Sequence, residues 1–480
     1  ANSDDPAPWY VLAETGVGKT VGIAKKIKAD VDLDRKYLVA VFTRADADAF
    51  ARLLCETLGY PEEQVGLWTK AHDTVLPVVD EHIAEPFMRT TKEEAHGKRV
   101  VIVTQASLSE SHGPWWLEGR DVVLIDEKPA TFHETTNLSC SDFNKLFEGS
   151  SIDTTPDGKT FFSKMSKWAD TQKAMLERHR LVEAIPDTEI PVFDFDVSEE
   201  TLKPTSELAN RAITFYRDTA AVNGFLYRKT ATDLRFVSYS FDIPDLSKAI
   251  IFSATADLGV RISGDGFASS KLIKPEVDLD YRNLNVQFLP WPVQVRSGKP
   301  GLAIPWYYNK IVRDRNHRND FIDHVLNRLE ADGALGPKSL VVCPMVIHSD
   351  MDERLSMYGV KTIYWGRDVG TNAYRDCDYV MLAGLHHKPD SAIIAEYLAY
   401  SGTGATPEAL EPFDHLNRST LKSAKFDSHC DSVKQMAARG MLRQLSIDED
   451  GKVFSGKMSL VIMHTHFDYF KRIADRLYGK

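Results

Sequence analysis

Ala13-Glu14-Thr15-Gly16-Val17-Gly18-Lys19-Thr20 is the stretch whose reading decides the fold. It sits between an apolar run, Trp9-Tyr10-Val11-Leu12-Ala13, and a helical pattern from Val17 to Ala29. Strand, loop, helix is the context of a phosphate-binding loop. Thr15, Gly16, Val17, Gly18 and Lys19 would offer backbone N–H groups to nucleotide phosphates. Gly16 and Gly18 permit the tight curve and the close approach. Lys19 would reach the β- and γ-phosphates, and Thr20 would ligate Mg²⁺. ATP and Mg²⁺ are therefore the expected cofactors. Ala13 stands where such loops usually carry their first glycine.

A second signal complements the first. Val122-Val123-Leu124-Ile125 is a short apolar strand that ends in Asp126-Glu127. A parallel strand would deliver that acidic pair at its C-terminal edge, beside the phosphate loop. Asp126 would hold Mg²⁺ through water, and Glu127 would orient or deprotonate an attacking water.

Working outward, Tyr37–Phe42, Arg99–Thr104 and Asp121–Ile125 are near-continuous Val/Ile/Leu runs separated by helical stretches. Strands of that kind are buried on both faces, which predicts a parallel sheet in an α/β fold. Residues 131–245 differ. Phe162–Glu183 and Glu200–Asn223 are long and helix-like, and Gly224–Arg228 and Leu234–Tyr239 form a hairpin pattern. They predict an α-rich insertion. Buried-strand character returns at Ala249–Phe252. A Pro- and Gly-containing linker follows over 291–310. Strand patterns at Ser339–Cys343, Lys361–Trp365, Tyr379–Ala383 and Ser459–Met463 then define a second α/β block. The expected division is 1–130 with 246–290, the insertion 131–245, the linker 291–310 and the second block 311–480.

Composition narrows the class. The chain has 480 residues, 43% hydrophobic and 26% charged, with a net charge of −11. That is globular material for more than one core, and it excludes a generally basic coat or histone-like protein. A local basic groove is still compatible with it. Arg296, Lys299, Lys310, Arg313, Arg315, His317 and Arg318, near Trp306, Tyr307 and Tyr308, supply one candidate for binding a single strand. No apolar run reaches the length of a membrane span, so no membrane partner is expected. Five scattered cysteines without a CxxC fit a reducing, cytoplasmic setting. The pairs His386-His387 and His464-Thr465-His466 read as strand-end histidines rather than a metal site. The chain opens on Ala1, which admits an upstream domain or a partner protein.

These residues resemble superfamily 2 helicases of the DEAD/DEAH-like class. Thr15–Thr20 resembles motif I, Asp126-Glu127-Lys128-Pro129 motif II, and Ser253-Ala254-Thr255 motif III. Phe42-Thr43-Arg44 stands in the place of motif Ia, and Val103-Thr104-Gln105-Ala106-Ser107-Leu108 in that of motif Ib. In the second block, Leu340–Pro344 resembles motif IV, Trp365–Gly384 motif V, and Gln435 through Arg439 and Arg443 motif VI. The resemblance implies two RecA-like domains, the α-rich insertion lying in the first. It also implies a nucleic-acid-dependent ATPase, a DNA helicase or translocase, with single-stranded DNA ahead of RNA as the polymer.

Site roles follow from the same resemblance. Gln435, Arg439 and Arg443 would act on the nucleotide, with Arg439 ahead of Arg443 as the arginine finger. Ser253, Ala254 and Thr255 would couple the ATP site to the polymer. Thr43, Arg44, Thr104, Gln105, Gly370, Thr371 and Asn372 would contact nucleic acid. The insertion between motifs II and III resembles the arch of XPD/DinG-like helicases. Their iron–sulfur cluster is not expected, because Cys55 alone lies between motifs I and II. Two alternatives remain. One is a phage-type packaging motor, which needs nuclease carboxylates, with Asp278 and Asp280 as candidates. The other is a scaffold that uses ATP as a switch.

Overall fold

The structure is a computed structural model. It describes residues 8–13, 18–69, 87–88, 90–109, 113–127, 133–148, 154–175, 181–185, 190–228, 233–241, 246–258, 271–274, 279–291, 311, 313–366, 373–414 and 419–480. Two parallel sheets dominate it, as the apolar runs require. The first has seven strands. From edge to edge they are Lys271–Ile273, Trp9–Leu12, Ala249–Ser253, Val122–Asp126, Tyr37–Val41, Val100–Thr104 and Val65–Leu67. Alternate residues feed opposite cores, because successive side chains of a strand point to opposite faces. Leu38, Ala40, Val101, Val103, Val123 and Ile125 fill one core. Tyr37, Val39, Val41, Val100, Ile102 and Leu124 fill the other.

The second sheet has five parallel strands in the order Leu284–Pro290, Met458–His464, Tyr379–Leu382, Ser339–Cys343 and Lys361–Tyr364. It divides its side chains in the same way, with Leu340, Val380 and Leu460 on one face and Val341, Met381 and Val461 on the other. The chain thus contains two RecA-like domains. One boundary differs from expectation. By sequence Leu284–Pro290 falls in the first block, yet it pairs along its whole length with Met458–His464. Its sequence alternates without a strong apolar run, so the pairing depends on the neighbouring strand.

The insertion holds more β-structure than its pattern predicts. A four-stranded antiparallel sheet runs His133–Ser139, Leu234–Phe241, Gly224–Arg228 and Val182–Ala184. The outer two strands escape a pattern search because one is polar and the other spans three residues. Helices Cys140–Glu148, Pro156–Met175 and Glu207–Ala220 cover one face, packing Phe143, Phe161 and Phe215 with Phe236 of the sheet. The other face receives helix Asp390–Ser401, which belongs in sequence to the second block.

That helix is apolar nearly all round, so it must be buried on more than one side. Ile393, Ile394 and Leu398 pack on Phe225, Val237 and Tyr239. Tyr400 reaches the core of the first sheet beside Tyr10. Polar contacts fix the seat. Asn137 Nδ2 donates to Ser391 Oγ at 3.1 Å, Tyr239 Oη donates to the Thr403 carbonyl at 2.6 Å, and the Leu181 N–H donates to Asp414 Oδ1 at 2.9 Å.

Most of the expected linker lies outside the described residues, including Arg296, Lys299, Trp306, Tyr307, Tyr308 and Lys310. Of the basic stretch, Arg318 serves its own domain. It donates to the Ile311 carbonyl at 3.0 Å and to Asp350 at 2.5 Å. All five cysteines are free thiols. Among the described residues no helix is long and apolar enough to cross a membrane.

Leu398→Ala would remove a buried side chain between the insertion and the second block. It is expected to lower stability by about 2–5 kcal/mol. A urea melt would measure that loss, and limited proteolysis would show faster cleavage of the insertion.

Candidate active site at the edge of the first sheet

Strand order explains why the motifs meet. Ala249–Ser253 lies between Trp9–Leu12 and Val122–Asp126, and all three run parallel. Their C-terminal ends therefore deliver the phosphate-loop helix, Ser253 and the acidic pair to one edge. Thr15, Gly16 and Val17 lie outside the described residues. Gly18 precedes helix Lys19–Ala29 in the left-handed conformation, φ +79°. A side chain there would be strained, so glycine is the residue that starts this helix. The helix has no side-chain cap and no acidic residue in its first turn. Its free N–H groups and positive end suit an anion.

Lys19, Thr20, Asp126 and Glu127 then close the site, backed by Ser253 and Thr255. Lys19 Nζ forms an ion pair with Glu127 Oε1, and Thr20 Oγ1 donates to Asp126 Oδ2 at 2.9 Å. Fully buried Ser253 directs its hydroxyl to Glu127 Oε2 at 3.5 Å. The hydroxyl of Thr255 lies 3.2 Å from Ser253 Oγ, and the Thr255 N–H donates to that oxygen at 3.2 Å. Buried Ala254 fills the turn between them.

Burial pushes the Asp126 carboxyl above its ordinary range. The positive charge of Lys19 and the Thr20 hydrogen bond oppose that shift, and the Glu127 charge adds to it. Asp126 Oδ1 is buried with no hydrogen-bond partner. An unsatisfied buried carboxylate oxygen beside a threonine hydroxyl is a donor set that suits Mg²⁺ shared with nucleotide phosphates. Among the described residues no group of three or more His, Cys, Asp and Glu could hold a metal by itself.

Glu127 is one of three non-glycine residues with positive φ among the described residues, at +78°. That conformation costs an L-residue roughly 1–2 kcal/mol. It is held from the strand side, where the Glu127 N–H donates to the Phe252 carbonyl at 2.8 Å.

In the second domain, Arg439 and Arg443 lie close enough to the first for their charges to act on Asp46. Arg439 is buried just beyond helix Ser419–Ala437, and Arg443 is half-buried at the end of the turn Met441–Arg443. Lys434 is buried and Gln435 half-buried on the last turn of that helix, so this is no solvated face. Gly440 lies between the two arginines. A Cβ there would stand 2.7 Å from the Cys377 carbonyl oxygen and 2.8 Å from Met458 Sδ.

Asp46 ties these arginines to the site. Burial raises its carboxyl, and hydrogen bonds from Thr43 with the charges of Arg439 and Arg443 pull it back down. Its own charge in turn raises Asp126. Sequence reasoning missed Asp46. The spacing Thr43-x-x-Asp46 was the available signal, since it is a capping-box pattern.

The residues expected on the polymer side are placed differently. The Thr43 hydroxyl caps helix Arg44–Arg52 by accepting from the Asp46 N–H, and Arg44 is the half-buried first residue of that helix. Thr104 is buried, its hydroxyl 3.0 Å from Ser107 Oγ. Gln105 requires a correction. It is 0% exposed and donates to the carbonyls of Asp126 and Glu127 at 2.9 and 3.1 Å. In this structure the side chain faces the acidic pair rather than the surface. Gly370, Thr371 and Asn372 lie outside the described residues.

Other candidates resolve simply. The nuclease candidate Asp280 accepts from Arg282 Nε at 2.7 Å on the surface, and Asp278 lies outside the described residues. His464 Nδ1 accepts from the His466 N–H at 3.0 Å, and its ring stacks on Tyr469 with centroids 4.8 Å apart.

No protein-family model matches the chain, and no curated protein sequence matches it significantly. Solved structures do. An XPD helicase aligns over 99% of this chain and 95% of its own, at 11% identity and a TM-score of 0.49. S. cerevisiae Dbp5 bound to RNA and ADP BeF3 aligns over 99% and 84%, at 10% identity and a TM-score of 0.39. The helicase MrfA bound to DNA and AMPPNP aligns over 99% and 48%, at 10% identity and a TM-score of 0.35. At identities this low the likenesses concern the fold alone.

Gly440→Ala would press a methyl group into the Cys377 carbonyl. It is expected to cost about 1–3 kcal/mol of stability, read as a lowered unfolding midpoint.

Proposed function

We propose that the chain is a nucleic-acid-dependent ATPase, a DNA helicase or translocase, with single-stranded DNA ahead of RNA as its track. One observation carries the reading. Lys19, Thr20, Asp126 and Glu127 meet at one sheet edge, and the charges of Arg439 and Arg443 of the other domain act on Asp46 of the first domain.

Each group then has a task in phosphoryl transfer to water. Lys19 exchanges Glu127 for the β- and γ-phosphates when nucleotide enters. Thr20 and Asp126 would hold Mg²⁺, which would neutralise charge on the phosphate oxygens. Glu127, released from Lys19, orients the attacking water and accepts its proton. An arginine from the second domain meets the charge that develops on the γ-phosphate, Arg439 ahead of Arg443. Because it arrives from another domain, nucleotide binding favours a closed cleft and hydrolysis releases it. Ser253, already bonded to Glu127 and Thr255, can pass that change toward the polymer side.

The test is ATP turnover with no polymer, single-stranded DNA, duplex DNA and RNA. Wild type is expected to be stimulated at least about tenfold by one polymer. Lys19→Ala and Glu127→Gln are each expected to lose about 10²-fold or more in kcat. The finger arginine, replaced by alanine, should lose about 10³-fold, which separates Arg439 from Arg443. Undiminished turnover by Lys19→Ala would sink the proposal. Slow turnover indifferent to every polymer would favour the ATP-switch scaffold.

A further inference from the structure

We propose that Gln105 is a positioning residue for Glu127: its buried carboxamide clamps the backbone of the acidic pair and keeps the Glu127 carboxylate aimed into the site. The proposal rests on the reading of Glu127 as the group that activates water.

The clamp is built from two sides. From the strand side, the Glu127 N–H donates to the Phe252 carbonyl at 2.8 Å. From the other side, Gln105 Nε2 donates to the Asp126 carbonyl at 2.9 Å and the Glu127 carbonyl at 3.1 Å. A primary amide has two N–H donors, and two carbonyls use both. The reversed amide would set its oxygen against two carbonyl oxygens, so the partners dictate the orientation. Gln105 Oε1 is left buried without a hydrogen-bond partner. Gln105 therefore sits there at a cost, and the bonds made by its nitrogen are the compensating gain.

What the clamp holds is a conformation the residue would not choose. Glu127 has φ +78°, and extended backbone is open to it if the carbonyl is released. Its carboxylate would then swing away from Lys19 and Ser253. Asp126 has other supports. It is a paired strand residue opposite Phe252, and its side chain is held by Thr20. Loss of the clamp should therefore disturb Glu127 more than Asp126. Nucleotide and cation binding would persist while water activation fails.

Gln105 itself is rigidly carried. It opens helix Gln105–Ser109 directly after strand Val100–Thr104. The hydroxyls of Thr104 and Ser107, on either side of it, lie 3.0 Å apart and close that turn. Gln105 thus acts inward, on the backbone of the acidic pair.

The test uses Gln105→Met, which keeps the size and removes the donors, and Gln105→Asn, which keeps the donors and shortens the reach. The assays are kcat and KM for ATP at saturating single-stranded DNA, affinity for a fluorescent ADP, affinity for labelled single-stranded DNA, and a thermal melt. Gln105→Met is expected to lower kcat by roughly 10–100-fold. KM and both affinities should stay within about threefold of wild type. In the double variant with Glu127→Gln the loss should be no greater than for Glu127→Gln alone, because the two residues act as a unit.

Weakened DNA affinity with unchanged kcat would overturn the proposal and make Gln105 a polymer contact. Lost ADP binding with a collapsed melting transition in both variants would also overturn it, in favour of core packing. Lys19-dependent turnover that Gln105→Met leaves intact overturns the Gln105 proposal alone. A wild type without Lys19-dependent turnover overturns it together with the reading of the site.

Discussion

The hydrogen bond from Thr20 to Asp126, beside the ion pair of Lys19 with Glu127, is the contact on which the rest depends. It places a carboxylate under a largely buried lysine at the end of a parallel sheet. Burying such charges is unfavourable unless each has a partner. The fold supplies the partners by geometry rather than by sequence proximity, since the two pairs are 106 and 108 residues apart. Placing Ala249–Ser253 between the two motif strands adds the Ser253 hydroxyl as a third element of the same cluster.

A flat, unstrained edge would not present Glu127 in this way. Its left-handed backbone is local strain, held by neighbouring elements that over-determine it. The packed cores on both faces of the sheet make that possible, because the strand ends cannot drift independently.

The second domain meets the first by two routes of different chemistry. One is electrostatic, where the charges of Arg439 and Arg443 act on the half-buried carboxyl of Asp46. The other is apolar, where helix Asp390–Ser401 lies on the insertion sheet and sends Tyr400 into the first core. The insertion is thus part of the link between the domains. Its helices and its second sheet face serve different partners, the helices closing its own core and the far face receiving the other domain's chain.

The sequence by itself determined the parallel sheets and named the residues Lys19, Thr20, Asp126 and Glu127 that meet at the end of the first one. Near-continuous apolar runs such as Leu38–Val41 and Val100–Val103 have one stable use, as strands covered on both faces. Gly18-Lys19-Thr20 and Asp126-Glu127 are legible because their chemistry needs those residue types at strand ends. Only the tertiary structure decided the rest. Leu284–Pro290 joins the second sheet because Met458–His464 offers a free edge, and His133–Ser139 is a strand because Leu234–Phe241 pairs with it. Gln105 faces inward because of how the strands are ordered, and Asp46 feels the charges of Arg439 and Arg443 because the two domains lie together, neither of which a local pattern records. Short-range pattern reports what a segment can become. Partner choice among strands, and the charge environment it creates, is a property of the assembled sheet.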